Sequence, residues 1–207
     1  MINSIRTRPT YILYSTLLAL FISCSALPNG SNNWAENTLK KLSLREKIAQ
    51  MLIYRMSMRL KDIPSSKWEE IVDLIDSDGL GGVHLWYGEA SSSLTIMNEM
   101  QDRSTIPILF DADIEYGLHQ RFPKGTDLLP LMAIAATNEP NNAYEIGKIV
   151  AKESRAVGIQ WNFSPVVDVN NNPANPIINV RSFSEDPEIV IEYGVKFMKG
   201  LQDHGML

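Results

Sequence analysis

The sequence has a single cysteine and no surplus of positive charge, and each shortage excludes a class of protein. Because only one of the 207 residues is a cysteine, an internal disulfide and a multi-cysteine metal site are excluded. The sequence has 19 lysines and arginines and 24 aspartates and glutamates, which give a formal net charge of -5. We expect no nucleic acid partner, because the chain has no excess of positive charge to neutralise a phosphate backbone. The hydrophobic content of 44% is typical of a soluble globular protein with one sizeable core.

The sequence also lacks an apolar run long enough to span a bilayer. The apolar residues 11–22 follow Arg6 and Arg8 and have the length of a secretory signal core. Small residues then surround Cys24, where a bacterial lipoprotein signal carries the cysteine that is lipidated. We therefore predict a lipoprotein-type signal peptide over 1–23, the alternative being a plain signal peptide with an incidental cysteine. In both cases the protein is exported. With the lipoprotein signal it is held in the cell envelope, and its one membrane contact is an N-terminal lipid anchor.

Residues 24–41 are interpreted as a linker, because the Gly, Pro and Asn residues at 28–33 favour turns and form a flexible tether. Helical and strand patterns alternate after it. The predicted helices start at a capping box at Ser43, near Ser66, near Ser93, near Pro140 and after Asp186. The predicted strands are the apolar runs 81–87, 106–110 and 159–163.

This alternation predicts an α/β fold with a parallel sheet covered by helices. A doubly wound sheet would also alternate in this way, but it usually brings a glycine-rich phosphate loop after its first strand, and none is present. The last two residues, Met206 and Leu207, have the pattern of another strand. A complete eightfold barrel needs roughly 250 residues, so we expect a fragment that ends within its domain.

Three acids follow a predicted strand at a spacing of two, so Asp111, Asp113 and Glu115 should lie on one face. Neighbouring carboxylates repel one another and need a cation, a proton or a hydroxyl-rich ligand. A hard metal ion, hydrogen bonds to the backbone at a strand-to-loop turn, and a bound sugar remain three alternatives. A carboxylate accepts hydrogen bonds from two vicinal hydroxyls, which favours the sugar.

Other polar and aromatic residues near the predicted strand ends are ambiguous on their own. The planar charged fork of an arginine suits a polar ligand, yet Arg121 and Arg181 could equally be surface or salt-bridge residues. We expect His84 to pack or to support a neighbouring group, since no partner for it is visible. Trp86 and Trp161 are either core residues or a face on which a sugar ring stacks. No serine elbow typical of a hydrolase nucleophile is present.

Four motifs in this order resemble glycoside hydrolase family 3, from about Leu42 to the last residue. They are IAQM at 48–51, GLGGV at 79–83, DIEYG at 113–117 followed by Arg121, and FSPVVDV at 163–169 followed by RSFSEDP at 181–187. Tyr116 and Ser184 stand where the family commonly has glycine. The stretch 170–181 resembles the β-N-acetylglucosaminidase branch, particularly secreted bacterial members.

The resemblance implies a TIM-like (β/α)8 barrel, truncated, with its N-terminal part at 42–207, and hydrolysis of β-linked sugars with retention. In that branch the residues matching Asp113, Arg121 and Arg181 hold the terminal sugar, and we expect Asp168 and Glu115 to orient them. The family's Lys-His pair, loop histidine and aspartate nucleophile come later in the chain than these 207 residues. The chain alone is therefore expected to be inactive, and no metal or cofactor is implied.

These observations predict an exo-acting β-N-acetylhexosaminidase that works on fragments of cell wall or chitin. A β-glucosidase or β-xylosidase of the same family is the alternative among enzymes. A sugar-binding lipoprotein without catalytic activity is the alternative outside enzymes.

Overall fold

The computed structural model describes residues 30–59 and 63–207. The predicted signal peptide over 1–23 and the lipidation site Cys24 lie outside these residues. The chain divides into two compact units with the boundary between Leu42 and Ser43. Among the described residues, no helix has both the length and the apolarity needed to cross a membrane.

The first unit contains helix α1, Gly30–Lys41, where the sequence predicted part of a flexible tether. The tether prediction is wrong from Gly30 onward, because strong helix formers follow the turn-forming residues. The Glu36 carboxylate lies 4.0 Å from Lys40 Nζ, one turn later on the helix. Lys40 and Lys41 occupy the last turn, where positive charge interacts favourably with the helix dipole.

The second unit is built around a four-stranded sheet in which all neighbouring strands are parallel. Its strands are β1 Ile53–Met58, β2 Gly82–Gly88, β3 Leu109–Ala112 and β4 Trp161–Asn162. Their order in the sheet, β1-β2-β3-β4, follows the chain, as in a singly wound barrel. In a doubly wound sheet, the order in which successive strands are added would reverse at an inner strand. The α/β prediction is confirmed.

Leu207 extends the hydrogen-bond pattern beyond β4. Its N–H donates to the Gln160 carbonyl oxygen at 2.9 Å, and its carbonyl accepts from the Asn162 N–H at 2.9 Å. These two bonds are those of a parallel bridge opposite Trp161. The strand pattern predicted for the last two residues is thus matched by their position in the sheet.

Helices connect the strands and cover the sheet. They are α2 Leu44–Ala49, α3 Ser65–Asp73, α4 Ala90–Arg103, α5 Leu131–Ala135, α6 Asn141–Ala156 and α7 Pro187–Gln202. A π-helical turn, Leu74–Asp78, continues α3 and ends at Gly79, whose φ of 75° is left-handed. Two short 3₁₀ helices, Leu118–Gln120 and Asn179–Arg181, lie in the loops after β3 and β4.

Local capping signals explain where two of these helices begin. Ser43 and Glu46 form the predicted capping box at α2, and Asp186 caps α7 by accepting from the Glu188 N–H at 2.9 Å. A helix starts near Ser66 as predicted, but Ser66 is not its cap: α3 begins at Ser65, with Pro64 in the cap position and without a side-chain hydrogen bond.

The largest difference from the sequence prediction is strand β1. Leu44, Ile48, Met51 and Leu52 have the spacing of one helix face, which predicts a helix that continues to Leu52. In the structure α2 ends at Ala49, and all four side chains are exposed. The chain then enters β1, in which the second half alternates and buries methionines. A short helix followed directly by a strand produces an apolar spacing that resembles a longer helix.

Helices α6 and α7 pack closely through glycines on their facing sides. A Cβ at Gly147 would lie 2.3 Å from the Phe197 carbonyl oxygen, and one at Gly200 would lie 2.2 Å from the Tyr144 carbonyl oxygen. Backbone-to-backbone approach of this kind leaves no room for a larger residue. The pair thereby forms one wall of the core, which continues to the buried Phe110 and Leu85 in the sheet.

Candidate functional site

Polar side chains from two adjacent strands meet around the end of β3. His84 of β2 is paired with Asp111 of β3 in the parallel register, so the two residues lie side by side. Asp113 and Glu115 follow at a spacing of two, and Arg121 comes directly after the 3₁₀ helix Leu118–Gln120. The predicted acids therefore follow one another along a single edge of the sheet.

The backbone that carries the acids is fixed by side chains from other segments. The buried Asn162 of β4 accepts a hydrogen bond from the Ile114 N–H at 2.9 Å and donates one to the Ile114 carbonyl at 3.0 Å. The Gln120 side-chain oxygen accepts from the Glu115 N–H at 2.8 Å. Asn162 was not singled out in the sequence, because its role depends on β4 lying beside β3.

Asp113 lies between two positively charged or chargeable groups. Its Oδ2 is 3.7 Å from Arg121 Nη2 and 3.9 Å from His84 Nε2. The Asp113 side chain is 35% exposed, whereas that of Arg121 is 8% exposed. Asp113 is thus the most exposed member of this group.

Arg121 is held by the loop and by aromatic rings. Its carbonyl oxygen accepts from the Gly88 N–H at 3.1 Å, which attaches the loop to the end of β2. Its guanidinium carbon lies 4.6 Å from the centre of the Trp86 ring, a cation–π distance. Arg55 contacts the same ring at 3.8 Å. Trp86 is therefore half-buried under charged groups, a position that neither the core nor the stacking alternative described.

Arg181 is oriented by a buried carboxylate. Glu115, whose side chain is 5% exposed, accepts hydrogen bonds from Arg181 Nη2 at 2.7 Å and Nε at 3.0 Å. This bidentate pairing fixes the plane of the guanidinium. The hydrogen bond with Glu115 raises the pKa of Arg181, with smaller contributions from the charges of Asp113 and Asp168. Arg181 therefore stays charged, and it is close enough to Asp113 for the two charges to interact.

The loop that carries Arg181 is tied back to the segment that follows β4. The Ser182 hydroxyl lies 2.5 Å from the Asp168 carbonyl oxygen and 3.0 Å from the Ser184 carbonyl oxygen, and these two acceptors share its single proton. Arg181 Nη1 donates to the Ile177 carbonyl oxygen at 3.3 Å within the same loop. Asp168 thus contributes its carbonyl to the loop and its negative charge to the surroundings of Arg181.

The structure brings the predicted sugar-binding residues into one cluster. Asp113 is next to Arg121 and within electrostatic range of Arg181, while Glu115 and Asp168 accompany Arg181. The carboxylates pair with side chains, not with the turn backbone that one alternative proposed. Within residues 30–59 and 63–207, no three His, Cys, Asp or Glu side chains are grouped as ligands for a metal ion.

His84 has the partner that the sequence did not reveal. Its Nδ1 lies 2.5 Å from Asp111 Oδ1, and Asp111 is fully buried. Phe163, 44% exposed after β4, stacks against the His84 ring at a centroid distance of 6.1 Å and lies 4.7 Å from the Trp161 ring. An acceptor, two arginines and exposed aromatic surface form an arrangement that can bind the hydroxyls and the apolar face of a sugar ring.

Comparisons with known proteins agree on the family to which the chain is similar. The model described as the Glycosyl hydrolase family 3 N terminal domain matches residues 43–207. A beta-N-acetylglucosaminidase/beta-glucosidase of Cellulomonas fimi is 30% identical over 173 residues, which cover 84% of this chain and 29% of that protein. A beta-hexosaminidase A of Pseudoalteromonas piscicida is 32% identical over 151 residues, which cover 67% of this chain and 25% of that protein.

Solved structures agree with this family. A glycoside hydrolase family 3 beta-N-acetylglucosaminidase from Paenibacillus sp. str. FPU-7 has a TM-score of 0.69 at 31% identity, covering 80% of this chain and 32% of that one. A beta-glucoside phosphorylase bound to 2FGlc has a TM-score of 0.75 at 28% identity, covering 87% and 32%. The chain spans less than a third of each of these four proteins. It belongs to glycosyl hydrolase family 3, and its match is to the N-terminal domain of that family.

Proposed function

We propose that the protein is a retaining glycoside hydrolase that removes terminal β-linked N-acetylhexosamine residues. The observation that carries this proposal is the cluster of Asp113, Arg121 and Arg181 at one edge of the parallel sheet. The names of the relatives from Cellulomonas fimi and Pseudoalteromonas piscicida support the N-acetylated sugar. We propose fragments of cell wall or chitin as the substrates.

In this proposal the cluster binds and orients the terminal sugar. Asp113 accepts hydrogen bonds from sugar hydroxyls, and Arg121 and Arg181 donate hydrogen bonds to sugar oxygens. Glu115 and Asp168 keep Arg181 oriented and charged. Retention requires a carboxylate nucleophile and a separate acid/base group, which the family resemblance assigns to residues other than these.

The Asp113→Ala variant of the complete gene product tests the proposal. Loss of a charged acceptor for sugar hydroxyls should reduce kcat/KM for an aryl N-acetylglucosaminide by about two orders of magnitude. Asp102→Ala, which removes an exposed carboxylate from α4, is the matched control and should leave kcat/KM unchanged. If Asp113→Ala has the same kcat/KM as the parent protein, Asp113 does not take part in binding the sugar.

A β-glucosidase or β-xylosidase is the second candidate, and the double name of the Cellulomonas fimi relative favours keeping it. Aryl N-acetylglucosaminide, glucoside and xyloside should be compared by kcat/KM. A preference for the glucoside or xyloside would replace the proposed substrate. If the complete gene product binds N-acetylglucosamine but hydrolyses none of the three aryl glycosides, a sugar-binding lipoprotein is favoured. For the 207-residue chain alone we expect no turnover.

We further propose that the protein is exported to the cell envelope and held there by a lipid on Cys24. The support is the sequence pattern of two arginines, a short apolar run and small residues around this cysteine.

A further inference from the structure

A fully buried carboxylate in β3 is unexplained by sugar binding itself. Asp111 is 0% exposed, its Oδ1 lies 2.5 Å from His84 Nδ1, and its Oδ2 has no hydrogen-bond partner within the described part of the chain. Burying a carboxylate is costly, and replacing a buried ion pair by apolar residues is often neutral or stabilising. The pair is therefore not explained by stability alone, and its other contacts become relevant.

The opposite side of the His84 ring faces the sugar-binding cluster. Nε2 lies 3.9 Å from Asp113 Oδ2, so Asp111, His84 and Asp113 form a series in which the imidazole separates two carboxylates. Asp111 and Asp113 are two residues apart along one segment, and His84 stands opposite Asp111 in the register. The register between β2 and β3 thus places these three residues in series.

The orientation of the imidazole is fixed from several directions. Asp111 anchors Nδ1, while the rings of Phe163 and Trp86 each lie 6.1 Å from the centre of the His84 ring. The His84 side chain is 12% exposed. With Nδ1 engaged by a buried acceptor, a protonated Nε2 can act only towards the Asp113 side.

We propose that His84, anchored by Asp111, is a positioning residue for Asp113. It holds the Asp113 carboxylate in the orientation that accepts hydrogen bonds from the sugar, together with Arg121 on the same oxygen. The distance of 3.9 Å is longer than a direct hydrogen bond, and such contacts commonly shorten when substrate binds. This inference rests on the proposed function, because it deepens the role of the same site.

Two amide substitutions of His84 separate the proposed role from a purely structural one. The amide nitrogen of Asn takes the place of Nδ1 and can still donate to Asp111, whereas that of Gln takes the place of Nε2 and can donate towards Asp113. If His84 positions Asp113, His84→Asn should lower kcat/KM for an aryl N-acetylglucosaminide by about 10- to 100-fold. His84→Gln should be about tenfold more active than His84→Asn. The reverse order would overturn the inference, because it would mean that the contact with Asp111 is the one that matters.

A double-mutant comparison gives a readout that a structural role would not move. In an Asp113→Ala background, His84→Asn should have little further effect on kcat/KM, because the group it positions is absent. Full additivity of the two losses would contradict the inference. His119→Asn is the matched control. This exposed histidine forms a hydrogen bond through Nδ1 with the Pro123 carbonyl oxygen, and its substitution should leave kcat/KM unchanged.

All measurements use the complete gene product, with thermal unfolding recorded for each variant. If both His84 variants fail to fold, Asp111→Ala replaces them, because it removes the acceptor that anchors Nδ1. A loss of kcat/KM at an unchanged Tm supports the inference, and unchanged kcat/KM overturns it. A parent protein that hydrolyses none of the tested glycosides would instead contradict the proposed function.

Discussion

Glu115 is the residue on which the orientation of Arg181 depends. Replacing it with glutamine removes the negative charge and one of the two acceptors in the bidentate pair. We expect Glu115→Gln to reduce kcat/KM of the complete gene product by about tenfold, because Arg181 would lose its fixed plane. Steady-state kinetics check this. Glu145→Gln, which breaks an exposed pair with Lys148 on α6, is the control, and equal activity of the two variants would contradict the prediction.

The charged residues that the sequence predicted for the site lie near one another in the structure, but their pairing was not predicted. Asp113, Arg121 and Arg181 follow from family motifs that are contiguous in the chain. The pair of His84 with Asp111 joins residues 27 positions apart, and that of Glu115 with Arg181 joins residues 66 apart. Such pairs depend on strand register and loop path, which spacing along a sequence does not specify.

At the scale of secondary-structure elements, the capping box of α2 makes stability depend on pH. Glu46 accepts a hydrogen bond from the Ser43 N–H at 2.7 Å, and the interaction with Ser43 lowers the pKa of Glu46 below its ordinary value of 4.5. The stabilisation is fully present above the unfolded-state pKa and is lost as pH falls through the lower folded-state pKa. We expect Glu46→Gln to be less stable than the parent at neutral pH and the difference to narrow below pH 4.5.

Urea unfolding at neutral and acidic pH measures this difference. Glu69→Gln on α3, a helix without a side-chain cap hydrogen bond, is the control. A gap between Glu46→Gln and the parent that stays constant with pH would show that the capping carboxylate is not responsible.

The close packing of α6 against α7 gives a second prediction at this scale. Alanine at Gly147 would favour the helical backbone by about 1 kcal/mol, but its Cβ would lie 2.3 Å from the Phe197 carbonyl oxygen. The backbone of α7 must then shift, and overpacking of this kind costs about 1–3 kcal/mol. We expect a lower Tm for Gly147→Ala. Lys152→Ala, an exposed change on the same helix, should leave Tm nearly unchanged.

Elements with strong local signals were predicted well, and those without them were missed. The start of α7 follows from Asp186 and Pro187, an N-cap followed by proline in the first helical position. Strand β1 and the five-residue helix α5 were not predicted. Short elements carry too few residues for a period to emerge, so tertiary contacts decide their structure.

At the scale of the whole molecule, the proposed lipid anchor makes a prediction about cellular location. Cys24→Ser in the complete gene product should move the protein from the membrane fraction to the soluble envelope fraction, because a serine cannot carry the thioether-linked lipid. Fractionation followed by immunodetection measures the distribution. Ser23→Ala, which keeps the cysteine, is the control. A membrane fraction unchanged by Cys24→Ser would leave a plain signal peptide as the explanation.

The order of strands was the part of the architecture that the alternation of helix and strand left open. Both barrel and doubly wound sheets alternate in the same way, and the absence of a phosphate loop only favoured the barrel. The sequential order β1-β2-β3-β4 and the similar fold of a family 3 beta-N-acetylglucosaminidase now agree with a TIM-like arrangement. Such an order cannot be read from local patterns, since it depends on which edge each new strand joins.

The pairing of each buried acid with a group from a distant segment has an evolutionary consequence. Loss of the partner leaves the buried acid uncompensated, whereas loss of both residues together can be neutral. Among descendants of a common ancestor, positions 84 and 111 should therefore change jointly, and so should positions 115 and 181. Lineages that altered only one member of a pair would be expected to persist rarely.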